Sequence, residues 1–311
     1  MEVIKIHLDD EMQDFPACSA CIGYFDGVHR GHQELIRKTV EASVSKSLIP
    51  ACITFDPDPW IVLKGITDVP HLTSVLQRAE WMKHYGIQRL YLVEFTKKLA
   101  DLSPEDFIQK ILVPLHVKHL VCGFDYTFGK FGAGKAEDLC NVSVFDTEIV
   151  DAVIHEEEKI SSTRIEKLIR EGELETANRL LGHPYVMEGK VIHGREKGRT
   201  IGFPTANLSP CDSYVIPKTA VYAGECEIEG NVYRAMINFG HNSAFNRYKN
   251  ISFEVHLIGY EGNLYGKSIR VSVLKKVRDE MIFNGLDELK RQLTEDRETI
   301  LTYDFGNIFN L

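Results

Sequence analysis

The spacing of apolar residues predicts two different architectures in the two halves of the chain. In the first 150 residues, short apolar runs alternate with stretches in which apolar residues recur every three to four positions. The runs predict strands at residues 17–22, 49–55, 89–94 and 119–122, and the periodic stretches predict helices at 32–45, 74–85 and 104–112. This alternation is typical of a parallel sheet with helices on both faces, where ligands bind beyond the carboxyl ends of the strands.

In the second half the period of the pattern changes to two, which is typical of strands. Two short predicted helices, at residues 161–170 and 174–181, lead into Gly182-His183-Pro184, and the change follows there. Strands are predicted at residues 185–193, 220–227, 233–238, 251–258 and 268–275, with a closing helix at 286–301. The pattern favours a small antiparallel barrel or sandwich. We therefore predict an α/β fold of two domains, a Rossmann-like parallel-sheet domain over residues 1–183 and a small β-barrel domain over 184–311.

Composition limits the classes of function. The 311 residues are 44% hydrophobic and 26% charged, as in ordinary globular proteins, and the formal net charge is −9. This acidic balance argues against a nucleic-acid partner, which requires a basic surface. The sequence contains neither a run of about 18 apolar residues nor a signal-peptide pattern, so we expect no membrane association. Seven scattered cysteines indicate reduced thiols and a cytoplasmic protein, while the oligomeric state stays open.

The first candidate site is a glycine-framed turn that follows the predicted strand at 17–22. It reads Gly23-Tyr24-Phe25-Asp26-Gly27-Val28-His29-Arg30-Gly31-His32 and leads into a predicted helix. Backbone N–H groups and the positive end of the helix dipole favour a phosphate there. His29 and His32 can donate hydrogen bonds to a phosphate during nucleotidyl transfer, and Gly27 and Gly31 let a nucleotide approach the backbone. The plainer alternative is that the two histidines only cap the helix.

The second candidate site combines another glycine-rich loop with a carboxylate. The loop reads Gly198-Arg199-Thr200-Ile201-Gly202-Phe203-Pro204-Thr205-Ala206-Asn207, and Thr205 and Asn207 offer hard oxygen ligands suited to Mg²⁺. Glu254 lies in the predicted strand at 251–258, on the same face as His256. A kinase that acts on an alcohol needs a group to accept the hydroxyl proton, and Glu254 is a candidate for this role. On the strand pattern alone, a solvent-facing carboxylate is the alternative.

These motifs resemble those of bacterial bifunctional riboflavin kinase/FAD synthetases, and the resemblance extends over almost the whole chain. Residues 23–32 are similar to the family motif G-x-F-D-G-x-H-x-G-H. Further similar blocks follow in the family's order, at residues 54–59, 123–129, 160–163, 180–182, 198–207, 222–224, 253–256 and 264–267. The resemblance implies that the second domain phosphorylates riboflavin to FMN with ATP. It also implies that the first domain adenylylates FMN to FAD and releases pyrophosphate.

The resemblance further implies roles for individual residues. In the first domain, His29 and His32 would act on the ATP phosphates. Other residues would form or border the nucleotide site: Gly23, Phe25, Asp26, Gly27, Gly31, Asp125, Ser161, Ser162, Thr163 and Arg164. In the second domain, Glu254 would be the catalytic base, and Thr205 and Asn207 would hold Mg²⁺ and ATP. Three further residues would complete the loop and the flavin pocket: Gly198, Gly202 and Arg278.

Four positions or segments depart from the family pattern. Tyr24 stands where the family often has Asn, Asp58 where it usually has His, and Glu166 where it usually has Arg. Segment 238–245 replaces a family pattern that ends in Pro-Thr-Phe, whereas here it ends in Ser243-Ala244-Phe245. Because two anions near a polyphosphate should weaken its binding, a monofunctional riboflavin kinase with an impaired adenylyltransferase domain stays open. A non-catalytic flavin-binding regulator and a first domain that adenylylates a different phosphate ester stay open as well.

Overall fold

The chain forms two compact units, which are described separately. The computed structural model describes residues 1–10, 13–67, 69–194, 198, 201–241, 251–306 and 308–309. The units comprise Met1–Ser161 and Ser162–Leu311. The domain boundary at 183/184 stays a prediction. The second half of the departing segment, residues 242–245, lies outside the described residues.

The first unit is built on a six-stranded parallel sheet. The strands of this unit are β1 (Glu2–Ile6), β2 (Cys18–Ile22), β3 (Ile49–Asp56), β4 (Arg89–Glu94), β5 (Val117–Gly123), β6 (Thr127–Phe128), β7 (Gly134–Lys135), β8 (Asp146–Val150), β9 (Ile154–His155) and β10 (Glu158–Lys159). The sheet order is β1-β4-β3-β2-β5-β8, and the other four form two short hairpins. The predicted parallel architecture is confirmed, and the pattern missed only the two edge strands of the sheet, β1 and β8.

Helices connect the strands of this sheet. They are α1 (Arg30–Lys46), α2 (Pro59–Lys64), α3 (Val75–His84), α4 (Lys97–Ala100), α5 (Pro104–Phe107) and α6 (Ala136–Leu139). The predicted helix at 104–112 is α5 followed by a π-helical turn over Ile108–Leu112. Its wider spacing is visible where the Val113 N–H donates to the Ile108 carbonyl at 3.0 Å, five residues back.

The central strand β2 is buried on both faces, as the middle of a parallel sheet requires. Ala20 and Ile22 belong to one core cluster. Cys21 belongs to the other, together with Ile36 of α1 and Met82 of α3. Burial on two sides fixes the register of β2, so the turn that follows it starts from a defined point.

Among the described residues, the second unit is a closed six-stranded antiparallel barrel with three helices. Its elements are α7 (Ser162–Glu171), α8 (Leu174–Leu181), β11 (Tyr185–Ile192), β12 (Ala206–Pro210), β13 (Ala220–Ile228), β14 (Asn231–His241), β15 (Ile251–Leu257), β16 (Ser268–Asp279) and α9 (Leu286–Thr302). The barrel closes in the order β11-β12-β15-β14-β13-β16. The predicted barrel and closing helix are confirmed, whereas no strand was predicted at β12, whose first two residues were assigned to the glycine-rich loop. Within the described part of the chain, no helix has the length and apolarity needed to cross a membrane.

Aromatic residues fill part of the barrel core. Phe239 and Phe253 stack with 4.8 Å between their ring centroids, and Tyr222 meets Phe239 edge-on at 5.8 Å. Outside the barrel wall, Ile300 of α9 shares a core cluster with Val221 and Met236. Helix α9 therefore covers one outer face of the barrel.

We predict that Gly224→Ala destabilises the second unit by about 1–3 kcal/mol or more, because overpacking displaces neighbouring backbone. Gly224 lies at an irregular step in the pairing of β13 with β16. A Cβ added there would lie 2.6 Å from Ile237 Cδ1 and closer still to the Ser272 carbonyl oxygen. Urea unfolding followed by far-UV circular dichroism measures the loss.

Gly285→Ala is the matched control, because a Cβ there meets no atom within 4 Å. It should cost at most about 1 kcal/mol. Both tryptophans, Trp60 and Trp81, belong to the first unit, so tryptophan fluorescence provides an internal reference. An unchanged urea midpoint for Gly224→Ala would show that the barrel wall can yield at this point.

Candidate active sites

The first candidate site is the turn at the carboxyl end of β2. The Gly23 N–H donates to the Ile53 carbonyl at 3.1 Å, which keeps the start of the turn beside β3. Phe25 and Gly27 then take left-handed conformations, with φ of 59° and 79°. Glycine adopts such values without steric cost, so Gly27 is required by the turn itself.

A buried carboxylate, Asp26, holds this turn against the segment before α3. Its oxygens accept hydrogen bonds from the Leu72 N–H at 3.0 Å, the Thr73 N–H at 3.0 Å and the Thr73 hydroxyl at 3.2 Å. The same hydroxyl accepts from the Gly27 N–H at 2.9 Å. The resemblance implied that Asp26 belongs to the nucleotide site, and its observed contacts are those of an anchor for the backbone of that site.

The two histidines lie at the start of α1 with their rings stacked, 3.6 Å apart and 15° from parallel. His29 caps the helix, since its Nδ1 accepts from the His32 N–H at 3.3 Å, and the proton of a neutral His29 ring is therefore on Nε2. Gly31 leaves room for this ring, because a Cβ there would lie 3.1 Å from it. The capping alternative is thus correct in part, and capping through Nδ1 does not prevent the ring from also serving a ligand.

His32 is held neutral by its surroundings. Burial lowers its pKa well below the usual value, and the neighbouring His29 lowers it further. Its Nδ1 is shielded from solvent and has no hydrogen-bond partner among the described residues, while Phe25 meets the ring edge-on at 5.1 Å. The pair can therefore offer N–H donors to a phosphate, without two full charges repelling each other.

The buried Arg78 of α3 brings a positive charge close to the turn. Its Nη1 donates to the Tyr24 carbonyl at 2.7 Å, and its guanidinium carbon lies 4.5 Å from the centroid of the Tyr24 ring. Arg78 also lies within electrostatic range of Asp26 and His32. It therefore balances the buried carboxylate and makes the turn more favourable for an anion.

Asp58, one of the departures from the family pattern, has partners of its own. Its Oδ1 accepts from the Trp60 N–H at 2.7 Å and caps α2. Its Oδ2 lies 3.8 Å from His71 Nδ1, and the Tyr24 hydroxyl lies 3.3 Å from the same nitrogen. Two of the departing residues therefore meet at one histidine that the sequence analysis did not single out.

A cavity of about 860 Å³ opens beside this cluster. Tyr24 and Asp58 line it, together with Lys64, Lys97 and Lys130. Aromatic residues form a large part of its wall, namely Phe55, Trp60, Phe95, Phe107, Tyr126, Phe128 and Phe131. Such a wall suits a large planar ring system, and the three lysines suit an anionic group attached to it.

The remaining residues expected in the first site are divided between the units. Asp125 follows β5, the neighbour of β2 in the sheet, and its carboxylate is paired with the Lys159 ammonium. Ser161 is the last residue of the first unit. The residues Ser162, Thr163 and Arg164 begin α7 in the second unit. Their expected role at the nucleotide stays a prediction.

The second candidate site is a row of polar residues across three barrel strands. Glu254 of β15 is directly opposite Asn207 of β12 on one side and Asn238 of β14 on the other. Directly opposed residues of antiparallel strands share one face, so the three side chains form a row. All three are partly buried, and Glu254 and Asn238 line a cavity. Glu254 therefore lies half-buried in the wall of a cavity, and its role toward a ligand stays a prediction.

The glycine-rich loop folds tightly onto Thr205. The Gly198 carbonyl accepts from the Ile201 N–H at 3.2 Å and from the Phe203 N–H at 2.9 Å. A Cβ on Gly198 would lie 2.8 Å from Thr205 Oγ1. Gly202 takes a φ of 87°, again in the left-handed region. Arg199 and Thr200 lie outside the described residues.

Two cavities meet at Thr205, which lines both. One, of about 380 Å³, is bounded by Pro204, Ala206, Tyr260, Asn263, Leu264 and Tyr265. The other, of about 330 Å³, is bounded by Phe203, Met236, Glu254, Arg278, Phe283 and Leu289. The arrangement can hold two ligands whose reacting groups meet at Thr205.

Arg278 lines the second of these cavities and is fixed to α9. Its Nε and Nη2 contact the buried Asp296 carboxylate at 3.0 and 2.8 Å, and Gln292 donates to the same carboxylate at 3.0 Å. The Arg278 guanidinium carbon also lies 5.8 Å from the centroid of the Phe283 ring. Arg278 therefore fixes the closing helix to the rim of the cavity.

Sequence reasoning missed the residues that position the site from a distance. These are Thr73, Arg78, His71, Asn238 and Asp296. Each acts through a partner that is distant in the sequence, so no local spacing marked it. The only signal available was the register of the barrel strands, which would have placed Asn238 beside Glu254.

The fold and the two sites define a class of protein in which a nucleotide-binding parallel-sheet unit is joined to a small phosphotransferase-like barrel. Comparison with known families agrees with this division. The family model of FAD synthetase matches residues 11–164, and that of riboflavin kinase matches residues 181–303.

Individual relatives match nearly the whole chain. A bifunctional riboflavin kinase/FMN adenylyltransferase of Listeria monocytogenes is 41% identical, with 96% of each chain covered. The proteins of the same name from Bacillus subtilis and Escherichia coli K12 are 38% and 34% identical, with 92% and 91% of each chain covered. The chain belongs to the family of bifunctional riboflavin kinase/FMN adenylyltransferases.

A solved structure supports the fold over the same length. It is described as a macrolide-efflux protein from Streptococcus pneumoniae, is 36% identical and superposes with a TM-score of 0.90. The match covers 98% of this chain and 100% of that one. The whole chain therefore shares the fold of that structure.

We predict that Asp26→Ala destabilises the first unit by about 3–5 kcal/mol, because buried donors of Leu72 and Thr73 lose their acceptor. Asp26→Asn should cost less, since one oxygen of the amide can still accept the bonds now made to Oδ1. Urea unfolding followed by tryptophan fluorescence measures both variants.

Asp106→Ala is the control, since its carboxylate makes an exposed ion pair with Lys110 at 3.1 Å, worth about 1 kcal/mol at most. Equal stability of Asp26→Ala and Asp106→Ala would contradict the anchoring role of Asp26.

Proposed function

We propose that this protein makes FMN from riboflavin in its barrel unit and FAD from FMN in its sheet unit, using ATP in both reactions. The observation that carries this proposal is the meeting of two cavities at Thr205, beside the row formed by Glu254 and Asn207. A phosphoryl transfer between two bound molecules requires this juxtaposition.

In the barrel unit, Glu254 is suited to act as general base. It would accept the proton of the ribityl 5′-hydroxyl while that oxygen attacks the γ-phosphorus of ATP, and ADP would leave with the electrons of the broken P–O bond. The cavity lined by Phe203, Met236 and Phe283 would receive the apolar flavin ring. The cavity lined by Tyr260 and Tyr265 would receive the nucleotide.

Thr205 and Asn207 would hold Mg²⁺ in this site. A hydroxyl and an amide oxygen beside a carboxylate are ligands of the hard type that Mg²⁺ prefers. When bound, the ion would neutralise charge on the ATP phosphates. Gly194 packs closely against the Asn207 side chain, because a Cβ on Gly194 would lie 2.5 Å from its Cγ.

In the sheet unit, adenylyl transfer needs orientation and charge stabilisation more than proton transfer. An FMN phosphate oxygen would attack the α-phosphorus of ATP, and pyrophosphate would leave with the electron pair of the broken P–O bond. The N–H groups of His29 and His32 and the first turn of α1 would stabilise the charge that develops. The aromatic cavity of about 860 Å³ would receive the flavin of FMN.

The contacts of Asp58 support two activities over a monofunctional riboflavin kinase. Its carboxylate caps α2 and lies near His71, so its negative charge already interacts with groups of the protein itself. Glu166 likewise lies 4.0 Å from Arg170, one helical turn later. Both anions are partly compensated, which reduces their expected repulsion of a polyphosphate.

We further propose a cytoplasmic location and keep the boundary between the catalytic halves at 183/184. All seven cysteines are free thiols in the structure, which is typical of a reducing compartment. Riboflavin, FMN, FAD and ATP are the proposed ligands.

We predict that Glu254→Gln lowers the rate of FMN formation from riboflavin by about 10²–10⁴-fold, because the base is lost while the shape is kept. A chromatographic time course with riboflavin, Mg²⁺ and ATP resolves riboflavin, FMN and FAD. FAD formation from supplied FMN should be unchanged.

The matched control is Glu225→Gln on β13, a half-buried carboxylate that pairs with Arg234 at 3.7 Å away from the cavities. Its rates should equal those of the natural protein. Near-normal turnover of Glu254→Gln would exclude Glu254 as the base. Flavin binding by the natural protein without ATP consumption would favour the regulator instead.

We predict that His32→Ala lowers FAD formation by about 10²-fold or more and spares FMN formation. The reason is that only the sheet unit loses an N–H group that can donate a hydrogen bond to the ATP phosphates. The same time course measures both products, and His84→Ala, an exposed histidine at the end of α3, is the control. Loss of both activities in His32→Ala would mean that the two sites are not separable. If the natural protein accumulates FMN alone, the monofunctional alternative is favoured.

A further inference from the structure

His256 has a contact that the proposed chemistry of the barrel unit does not yet use. Its Nδ1 lies 2.8 Å from the Pro204 carbonyl oxygen, and the side chain is 7% exposed. A carbonyl oxygen can only accept, so Nδ1 carries the proton. No other hydrogen bond of this ring is found among the described residues.

The register of the barrel explains why this bond is needed. The pairing of β12 with β15 ends at Ala206 opposite Val255. Continued by one step, the ladder would set Thr205 opposite His256. Pro204 cannot donate a ladder hydrogen bond, so the chain leaves the sheet there and its carbonyl needs another donor. The imidazole supplies that donor from the facing strand.

Position on the strand links His256 to the proposed base. Glu254 and His256 are two residues apart on β15, so their side chains share one face. One rigid strand therefore carries the proposed base and the tether of the loop that presents Thr205. The distance between base and loop is set by the strand geometry and one hydrogen bond.

The surroundings keep the imidazole in this role. The Phe203 ring centroid lies 5.4 Å from that of His256, and the Arg297 guanidinium carbon lies 5.6 Å from the Phe203 ring centroid. Burial lowers the pKa of His256 and the positive charge of Arg297 adds to this, whereas the hydrogen bond to the Pro204 carbonyl opposes it in part. The ring is therefore neutral at physiological pH and brings no second cation to the loop.

We propose that His256 is a positioning residue for phosphoryl transfer, which holds Thr205 at the junction of the two cavities through the Pro204 carbonyl. This inference rests on the proposed kinase function. It concerns the geometry of the Mg-ATP side of the site and gives His256 no direct contact with the transferred group.

His256→Phe removes the donor and keeps a ring of similar size, whereas His256→Asn keeps a nitrogen donor attached to the same Cγ. For His256→Phe we expect the kcat of FMN formation to fall by about 10- to 100-fold, since small displacements of a reacting group have effects of that size. The Mg²⁺ concentration for half-maximal rate should rise, while the KM for riboflavin stays unchanged. His256→Asn should recover most of the rate.

His183→Phe is the matched control, because His183 Nδ1 makes the same kind of bond to the Pro184 carbonyl at 2.9 Å outside both cavities. It should leave the Mg²⁺ requirement unchanged. In every variant, FAD formation from supplied FMN shows that the sheet unit is intact. Normal kcat and Mg²⁺ dependence in His256→Phe would overturn the inference. Failure of His256→Asn to the same degree as His256→Phe would also overturn it, since restoring an N–H donor would then recover no activity.

A crystal structure of His256→Phe tests the positioning role of His256 without any measurement of turnover. Displacement of Thr205 relative to β15 supports it, and an unmoved Thr205 contradicts it. If the natural protein forms no FMN, the proposed function fails, and the position of Thr205 in the variant still decides this inference.

Discussion

The constraint on which both sites depend is that the backbone polar groups of a tight glycine turn need buried partners from a distant part of the chain. In the sheet unit, the carboxylate of Asp26 and the hydroxyl of Thr73 supply these partners beside Gly27. In the barrel unit, the His256 imidazole holds the carbonyl of Pro204. Glycine permits such a turn, but it does not select one conformation. The buried side chain does so, and the turn then presents its remaining groups in a fixed direction.

The fold could be predicted where periodicity was strong. The central strands of the sheet are continuous apolar runs because both of their faces are covered, and β15 alternates as expected for a barrel wall. The missed elements have weak patterns for physical reasons. β1 is an edge strand whose first four residues are exposed or half-buried, and β12 is five residues long and begins two residues after Pro204. The helix predicted at 104–112 kept its apolar spacing while its backbone widened into a π turn.

Sequence could also select the chemical residues of the sites, but it could not assign their tasks. The family resemblance marked Asp26 and Arg278 as ligand-binding candidates, whereas their observed partners are the backbone at Leu72 and the carboxylate of Asp296. Gly224 belongs to a family block and is required because β16 passes too close for a side chain. In each case the deciding neighbour is distant in sequence. Residue type shows which interactions a position can make, and only the packed chain shows which of them it makes.

The same reasoning applies to the anions that depart from the family pattern. Considered as isolated charges, Asp58 and Glu166 oppose a polyphosphate. The effect of a charge depends on what surrounds it, however, and Asp58 is buried, caps α2 and lies 3.8 Å from His71. His71 in turn lies 3.3 Å from the hydroxyl of Tyr24, which is itself a departure. Two of the departures from the family pattern, Tyr24 and Asp58, are therefore parts of one cluster. Because residues that share a partner are coupled, the effect of changing both is not the sum of two independent changes.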